Sequence, residues 1–161
     1  MLELTDGKIL LRHFRLEDAE NHLAGEDAEL VRWLSGGRGT LPGVLAWIEA
    51  NQRHWQAGGP VFNFAIVHAH TGTLLGMVEA NTDYLRIAGL HEGDANISYG
   101  LYPGARGHGY ASRAVALVMD FLQSRGIRRA VIRVDPRNTP SVRVARRLGY
   151  LWIGEIATPW P

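Results

Sequence analysis

The sequence contains no cysteine among its 161 residues. A disulfide bond, a zinc or iron–sulfur site with cysteine ligands and a thiol nucleophile are therefore excluded, and any thiol chemistry must belong to a ligand. The chain also lacks an apolar stretch long enough to span a bilayer, and its first residues do not combine a basic segment with an apolar one. We expect a cytoplasmic protein with no membrane partner.

A large excess of charge is missing as well, because 17 Lys and Arg stand against 16 Asp and Glu, for a net charge of +1. Without a strongly basic surface, nucleic acid is not expected as a partner. Hydrophobic residues make up 46% of the chain and charged residues 20%, which is ordinary for a globular protein. At this length we expect one domain that covers residues 1–161.

The first part of the chain predicts a short strand, a mostly helical region and then three successive antiparallel strands. Acidic residues early in a segment favour helix starts, whereas short β-branched and aromatic runs between turn residues favour strands. The predicted elements are a strand at Lys8–Arg12, helices from Leu16, at Ala28–Leu34 and at Leu41–Gln56, and strands at Phe62–Val67, Leu74–Ala80 and Ala95–Tyr102.

The rest of the chain predicts a strand–helix–strand crossover, for which parallel pairing is expected. An amphipathic helix begins after Gly109 and ends before Gly126. The other predicted elements are a strand at Ala130–Val134, a helix at Ser141–Leu148 with Thr139 as N-cap and Pro140 as its first residue, and a last strand at Tyr150–Ile153. This order of elements indicates an α+β fold.

A glycine-rich turn with Gly104, Gly107 and Gly109 lies between a predicted strand and a helix N-terminus. Free N–H groups and the helix dipole bind phosphate at such a place, and glycine lets the backbone approach it. A P-loop is excluded because Tyr110 and Ala111 stand where Lys and Ser or Thr are required. A dinucleotide fingerprint is excluded because its third glycine and its acidic residue do not match. A phosphate site and a turn that merely joins two elements both stay open.

Two motifs resemble those of a known enzyme family. The run Arg106-Gly107-His108-Gly109-Tyr110-Ala111 matches the Arg/Gln-x-x-Gly-x-Gly/Ala signature of the GNAT acyl-CoA N-acetyltransferases. Asn138-x-x-Ser141, followed by Arg147-Leu148-Gly149-Tyr150, resembles the next motif of that family. The chain looks most similar to the Rim-type branch, which includes ribosomal-protein N-terminal acetyltransferases. The resemblance implies a twisted mixed sheet with flanking helices, splayed in the middle, with acyl-CoA in the gap.

The resemblance also implies how acetyl-CoA binds as co-substrate, without a metal. The amides from Gly107 to Ala111 would receive the pyrophosphate, Ser112 would add a hydroxyl and Arg106 a positive charge. The side chain of His108 is interpreted as an exposed spacer within this run.

The other end of the cofactor is assigned by the same resemblance. The backbone of Leu101 and Tyr102 would pair with the pantetheine arm like an extra strand, and one amide would face the thioester oxygen as an oxyanion donor. Asn138 would hold the arm from the other side.

Several positions depart from the family pattern. The tyrosine that protonates the leaving thiolate in many members is Ala145 here, and two carboxylates found in many members are replaced by Asn96 and Arg113. A general base therefore does not carry over. The chain reaches residues 155–161 where the family supplies one more strand, so either that strand is missing or a partner chain, as in a homodimer, covers the edge.

The expected activity is direct transfer of an acetyl group from acetyl-CoA to a primary amine in a ternary complex. A peptide α-amine has a pKa of about 8 and a lysine amine one of about 10.4. Because the α-amine loses its proton more easily, the N-terminal α-amine of a peptide or protein is the favoured acceptor. A small-molecule amine, such as an aminoglycoside or a polyamine, and a CoA-binding protein without turnover are the alternatives.

Two residues are the candidate catalytic groups. Glu79 is the best available base because it alternates with Met77 and Asn81 on one face of a central strand; its plainer interpretation is a solvent-facing carboxylate. Ser141 is the hydroxyl expected nearest the leaving thiolate; its plainer interpretation is a helix-start hydroxyl that bonds backbone N–H groups. The substitutes for Glu79 are Asp83, Glu92 and Asp94.

Three further groups of residues each have a functional and a plainer interpretation. The pair His68-x-His70 favours a surface turn over a metal site. Trp33, Trp47 and Trp55 are interpreted as core residues in preference to the lining of a substrate cleft. Arg143, Arg146 and Arg147 either bind the 3′-phosphate of CoA or are solvated.

Overall fold

The computed structural model describes residues 1–156 and forms one six-stranded sheet in which the strands follow chain order. Neighbouring strands are antiparallel except for the last pair, which is parallel. Both the three successive antiparallel strands and the parallel crossover predicted from the sequence are confirmed. The strands are β1 (Leu4–Thr5), β2 (Ile9–Arg12), β3 (Val61–His68), β4 (Leu74–Asn81), β5 (Asp94–Leu101) and β6 (Arg129–Val131).

The helices lie between these strands and flank the sheet, which confirms the α+β class. Within residues 1–156, no helix is both long and apolar enough to cross a membrane. The helical elements are α1 (Ala19–Gly25), α2 (Ala28–Leu30), α3 (Leu41–Ala57), α4 (Tyr110–Ser124) and α5 (Thr139–Arg147), with short 3₁₀ turns at Leu16–Asp18 and Pro103–Ala105.

The helix predicted at Ala28–Leu34 is only partly α-helical. After α2 the chain forms a wider π-helical turn over Val31–Ser35, which ends at Gly36 with φ of 69°. We call residues 28–35 the α2 segment. This segment packs over Gly100 of β5, where a Cβ would lie 2.4 Å from Leu34 and 2.6 Å from Leu30. A residue without a side chain at position 100 therefore lets the α2 segment approach the strand closely.

The core lies mainly between the sheet and α4. Apolar residues recur at helical spacing on α4, and Ala114, Val115 and Val118 are fully buried. Near the end of α4, Phe121 meets an aromatic cluster that contains Trp55. A second cluster on the other face of the sheet packs residues of α1 and α3 against Ala65 and Val67, which alternate with the α4-facing residues of β3.

The sheet splays between β5 and β6. Only the first three residues of β5, Asp94 to Asn96, pair with β6, whereas β5 itself continues to Leu101. Arg129 of β6 donates to the Asp94 carboxylate at 3.0 Å and closes the paired end. Beyond Asn96 the strands separate, so residues 97–101 of β5 have a free backbone edge on that side. This confirms the expected gap in the middle of the sheet.

The strand predicted at Tyr150–Ile153 is wrong, because residues 150–156 form no strand. Leu151, Trp152 and Ile153 are 85%, 69% and 68% exposed. Residues 151–153 pair with no strand and bury no face against the sheet, and strand propensity without pairing and burial does not make a strand. The expectation of a missing closing strand extends to residues 157–161, which lie outside the described residues.

Two smaller predictions also need correction. The strand expected at Ala130–Val134 is shorter, at Arg129–Val131, because the chain leaves the sheet where the gap opens. The N-cap of α5 is Asn138 instead of Thr139, since the Asn138 side chain accepts from the N–H of Ser141 at 3.4 Å. Asn is the stronger capping residue of the two, and Pro140 fits the first turn in either case.

Candidate active site

The glycine turn opens onto a cavity with a volume of about 520 Å³. Gly107 and Gly109 have φ of 79° and 78°, and a Cβ at either position would meet no atom within 4 Å. Their left-handed backbone is the conformation that favours glycine. The other residues that line this cavity are Glu29, Leu30, Trp33, Leu34, Tyr99, Gly100, Leu101, Arg106, Tyr110, Ala111, Ser112, Asn138, Pro140, Ser141, Arg143, Val144 and Arg147.

The N-terminus of α4 points free donors at this cavity. The first backbone bond of the helix runs from the N–H of Arg113 to the carbonyl of Gly109, which leaves the N–H groups of the preceding turn without a helical partner. The Ser112 hydroxyl is buried and has no hydrogen-bond partner among the described residues. His108 is exposed, as the spacer interpretation expects. This donor set suits a phosphate group.

The Arg106 side chain does not extend freely into the cavity. Its guanidinium donates two hydrogen bonds to the Asp27 carboxylate, at 2.7 and 2.9 Å, and one to the carbonyl of Leu101 at 3.1 Å. The side-chain bond from Arg106 lowers the pKa of Asp27 to about 2. The positive charge expected for the pyrophosphate is therefore already paired, and Arg106 connects the glycine turn to the α2 segment.

Two further cations line the same cavity. Arg143 and Arg147 of α5 contribute to its wall, whereas Arg146 does not. Their side chains are available for a phosphate because neither forms an ion pair within residues 1–156.

The free edge of β5 offers the Leu101 amide but not the Tyr102 amide. Tyr102 donates its N–H to the carbonyl of Leu75 on β4, at 2.9 Å, so this amide is already bonded within the sheet. Because N–H groups alternate sides along a strand, that of Leu101 faces the gap. Of the two residues expected to pair with the pantetheine arm, only Leu101 therefore has an amide free on the side of the gap.

A second, smaller cavity of about 50 Å³ adjoins the first. Both cavities share five residues, so they meet at a common junction formed by Trp33, Leu34, Tyr99, Asn138 and Ser141. The other residues around the small cavity are Ile97, Ser98, Ile132, Arg133, Val134 and Asp135. The small cavity therefore lies between β5 and the chain that follows β6, inside the splay.

Ser141 lies at this junction, and both its backbone N–H and its backbone carbonyl form hydrogen bonds. Its N–H donates to the Asn138 side chain, and its carbonyl accepts from the Tyr99 hydroxyl at 3.0 Å. Burial raises the pKa of Tyr99 to about 12, so this hydroxyl stays protonated at neutral pH. Since Asn138 caps the helix, the Ser141 hydroxyl is not needed for that purpose.

Glu79 lies on β4 and lines neither cavity. It is half-buried, and Asn63 of β3 donates to one of its carboxylate oxygens at 3.0 Å. Burial raises the pKa of Glu79, while the Asn63 hydrogen bond opposes that rise. Its cross-strand partner on β5 is Ser98, which does line the small cavity. Of the substitute bases, Asp94 is bonded by Arg129, which lowers its pKa.

The remaining candidates divide between core and surface. His68 accepts at Nδ1 from the N–H groups of the following turn, which confirms the surface-turn interpretation. Trp47 and Trp55 pack against aromatic neighbours in the core, whereas Trp33 lines both cavities. Residues 1–156 hold no group of three or more His, Asp or Glu side chains placed to bind a metal.

Sequence reasoning missed Asp27, Leu34 and Tyr99 as site residues. Nothing in the sequence indicates that the Tyr99 hydroxyl reaches α5. Asp27 is 79 positions from its partner Arg106, so no local pattern reveals the pair.

The comparisons with known proteins agree with this geometry. The family model of the GNAT acetyltransferase domain matches residues 8–151. The chain belongs to the GNAT acetyltransferase family, and it is an acetyl-CoA-dependent N-acetyltransferase by class. No curated protein sequence gives a significant match.

Solved structures share the fold at low sequence identity. A ribosomal-protein-S5-alanine acetyltransferase from Vibrio fischeri is 19% identical with a TM-score of 0.77, over 94% of this chain and 84% of that one. RimL, a ribosomal L7/L12 α-N-protein acetyltransferase solved with coenzyme A, is 20% identical with a TM-score of 0.78, over 92% and 83%. An acetyltransferase from Agrobacterium tumefaciens is 24% identical with a TM-score of 0.72, over 92% and 83%. The Rim-type structures are thus among its relatives by fold.

Proposed function

We propose that this acetyltransferase acts on the N-terminal α-amine of a peptide or protein, by direct attack on acetyl-CoA in a ternary complex. The observation that carries the proposal is the junction of two cavities at Ser141, beside the free edge of β5. A large cavity next to phosphate donors and a small cavity beyond it suit a co-substrate and an amine that meet at one point.

Acetyl-CoA would occupy the large cavity. The amides of Gly107 to Ala111 and the unpartnered Ser112 hydroxyl would receive the pyrophosphate. The pantetheine arm would run along the free edge of β5 with Asn138 opposite, and the Leu101 amide would donate to the thioester oxygen.

The small cavity would hold the acceptor amine. The neutral amine attacks the thioester carbon, the carbon–sulfur bond breaks, and CoA leaves as a thiolate; the nitrogen gives up one proton as the amide forms, and the thiolate takes up one. A thiol pKa near 8.5 means that this proton helps the departure without being indispensable. The Ser141 hydroxyl is placed to relay that proton, since it lines both cavities.

The acceptor class is supported by chemistry and by the names of relatives. An α-amine needs less help to lose its proton than a lysine amine, and the site offers little such help: the Asp135 carboxylate at the small cavity is paired with Arg137, which lowers its pKa, and Glu79 lines neither cavity. Two of the structural relatives are named for protein acceptors, one a ribosomal-protein alanine and one an α-N-protein amine.

A homodimer belongs to the same proposal. The exposed run Leu151, Trp152 and Ile153 offers contiguous apolar surface that a second copy of the chain would cover.

The test is a thiol-release assay beside CoA-binding calorimetry. We expect the protein to bind acetyl-CoA and to release CoA with peptides that have a free N-terminus, but not with the same peptides blocked at that amine. Release of CoA only with aminoglycosides or polyamines would contradict a peptide acceptor and indicate a small-molecule amine as acceptor. Binding of acetyl-CoA without any release of CoA would indicate a CoA-binding protein without turnover.

A further inference from the structure

Three polar side chains form a row across the centre of the sheet. Asn63 of β3 is directly opposite Glu79 of β4, and Glu79 is directly opposite Ser98 of β5. Directly opposed residues share a face of the sheet, with Cβ atoms about 4.5–5.5 Å apart. The row therefore leads from the interior of the sheet to the small cavity, which Ser98 lines.

Each end of the row has a free polar group. Asn63 is 1% exposed, donates to Glu79 and has no partner for its own side-chain oxygen. At the other end, the Ser98 hydroxyl forms no hydrogen bond within residues 1–156. One Glu79 oxygen is held by Asn63, so the carboxylate is oriented while its second oxygen has no partner in this part of the chain.

We infer that Ser98 relays a proton from the acceptor ammonium in the small cavity to Glu79, with Asn63 as the positioning residue for that carboxylate. The inference rests on the proposed function. It also explains how Glu79 could act as a base although it lines neither cavity, because Glu79 is half-buried on the face of the sheet that it shares with Ser98.

The relay step conserves atoms and charge. An N–H proton of the ammonium moves to the Ser98 oxygen as the Ser98 hydroxyl proton moves to a Glu79 oxygen. The acceptor becomes a neutral amine with a free lone pair, Ser98 is a hydroxyl again, and Glu79 becomes a neutral acid. The amine then attacks the thioester, and Glu79 returns its proton to solvent before the next turnover.

The electrostatic surroundings of Glu79 suit this role. Burial raises the pKa of Glu79, which makes it a better proton acceptor than an exposed carboxylate. His54 of α3 is the titratable group that acts on this carboxyl from the packed helices, and its influence lowers the pKa of Glu79. Among residues 1–156, no other titratable side chain influences the pKa of this carboxyl through its charge.

The first test compares pH–rate profiles of Ser98→Ala and Ser98→Thr with the parent. At pH 7 we expect Ser98→Ala to lose about 10²-fold in kcat/KM for a peptide acceptor, the lower range for a general acid–base group. The loss should shrink at high pH, where the amine is already neutral, and Ser98→Thr should retain activity because it keeps the hydroxyl. A profile of Ser98→Ala that matches the parent at every pH overturns the relay.

A matched control excludes a general effect of removing a hydroxyl. Ser124 lies at the end of α4, about 20 Å along the helix from the glycine turn, and its hydroxyl donates to the Phe121 carbonyl. We expect Ser124→Ala to have the parental pH profile.

A second readout does not depend on turnover. The relay requires the Ser98 hydroxyl to turn toward the unpartnered Glu79 oxygen and donate to it. Ser98→Ala removes that donor, so in ¹³C NMR titrations of the side-chain carboxyl Glu79 should titrate at higher pH than in the parent. An identical Glu79 titration in both proteins overturns the relay even with an inactive parent. A parent that fails to bind acetyl-CoA in calorimetry instead overturns the proposed function, so the two failures are distinguishable.

Discussion

At the scale of single residues, the site depends on backbone conformations that few side chains tolerate. Gly109 is the N-cap of α4 and has φ of 78°, and Gly126 follows the end of the same helix with φ of 79°. A Cβ at either position would lie in open space. The two glycines therefore share the same conformational requirement, but only Gly109 lines the large cavity.

This pair separates backbone strain from ligand contact. We expect Gly109→Val and Gly126→Val both to lower the free energy of unfolding, by about 1–2 kcal/mol or more. Only Gly109→Val should also lose acetyl-CoA affinity, by at least about tenfold, because a branched side chain would stand where the pyrophosphate approaches. Urea denaturation and calorimetry measure the two effects; parental CoA affinity in folded Gly109→Val would contradict the phosphate assignment.

Substitutions of Asn138 and Ser141 distinguish a role in capping α5 from a role in catalysis. We expect Asn138→Ala to lower the free energy of unfolding by about 1 kcal/mol, because α5 loses its N-cap. Ser141→Ala keeps both backbone bonds of that residue, so we expect an unchanged melting temperature and CoA affinity with a fall in kcat. A lower melting temperature with parental kcat in Ser141→Ala would contradict the relay through that hydroxyl.

Glu79 gives a prediction about pH and stability. Its pKa in the folded protein lies above its ordinary value of 4.5 because of burial. Such a group stabilises the fold fully below its unfolded pKa, and this contribution is lost as pH rises through the folded pKa. We therefore expect the stability of the parent relative to Glu79→Gln to decrease from pH 4 toward neutral pH. Urea denaturation series across that range measure the difference; a constant difference would contradict a raised pKa.

At the scale of elements, the α2 segment is one wall of both cavities. Arg106 of the glycine turn is connected to this segment by ion pairs with Glu29, at 4.0 Å, and with Asp27 just before it, at 2.7 Å. Asp27 accepts from Arg106 and also from the N–H of Leu30, where it caps α2. The same carboxylate thus fixes the start of the helix and its position relative to α4.

Removal of this charge should loosen the wall without touching the phosphate donors. We expect Asp27→Asn to raise the Kd for acetyl-CoA severalfold and to leave kcat near the parental value. The pKa of Asp27 is lowered to about 2, so its contribution to stability is present above its ordinary value of 3.8 and is lost as pH falls toward 2. The stability difference between parent and Asp27→Asn should therefore vanish in that range, as acid denaturation would show.

At the scale of the whole molecule, the exposed apolar run 151–153 predicts self-association. We expect sedimentation velocity to show a dimer for the parent and a monomer for Trp152→Ser, because Trp152 is the largest side chain of the run and is 69% exposed. Leu85, which is 82% exposed in the loop before β5, offers a matched control, since Leu85→Ser should leave the dimer intact. A monomeric parent at high micromolar concentration would contradict the homodimer.

The sequence alone determined the features that depend on a few neighbouring residues. Most of the order of strands and helices, the glycine turn and the Gly126 terminus follow from local conformation and periodicity, and the structure has them, although β1 is not predicted. The motif at residues 106–111 also indicates the family to which the chain belongs. The strand predicted at 150–153 is wrong, because local propensity does not say whether a run pairs with an edge of the sheet.

Only the tertiary structure decided what these parts do together. It bonded Arg106 to Asp27 across 79 positions of sequence and bonded the Tyr102 amide to Leu75. It also set the register that places Glu79 opposite Ser98. Local propensity does not predict these contacts, because strand register and ion pairs depend on which distant segments of the chain pack together.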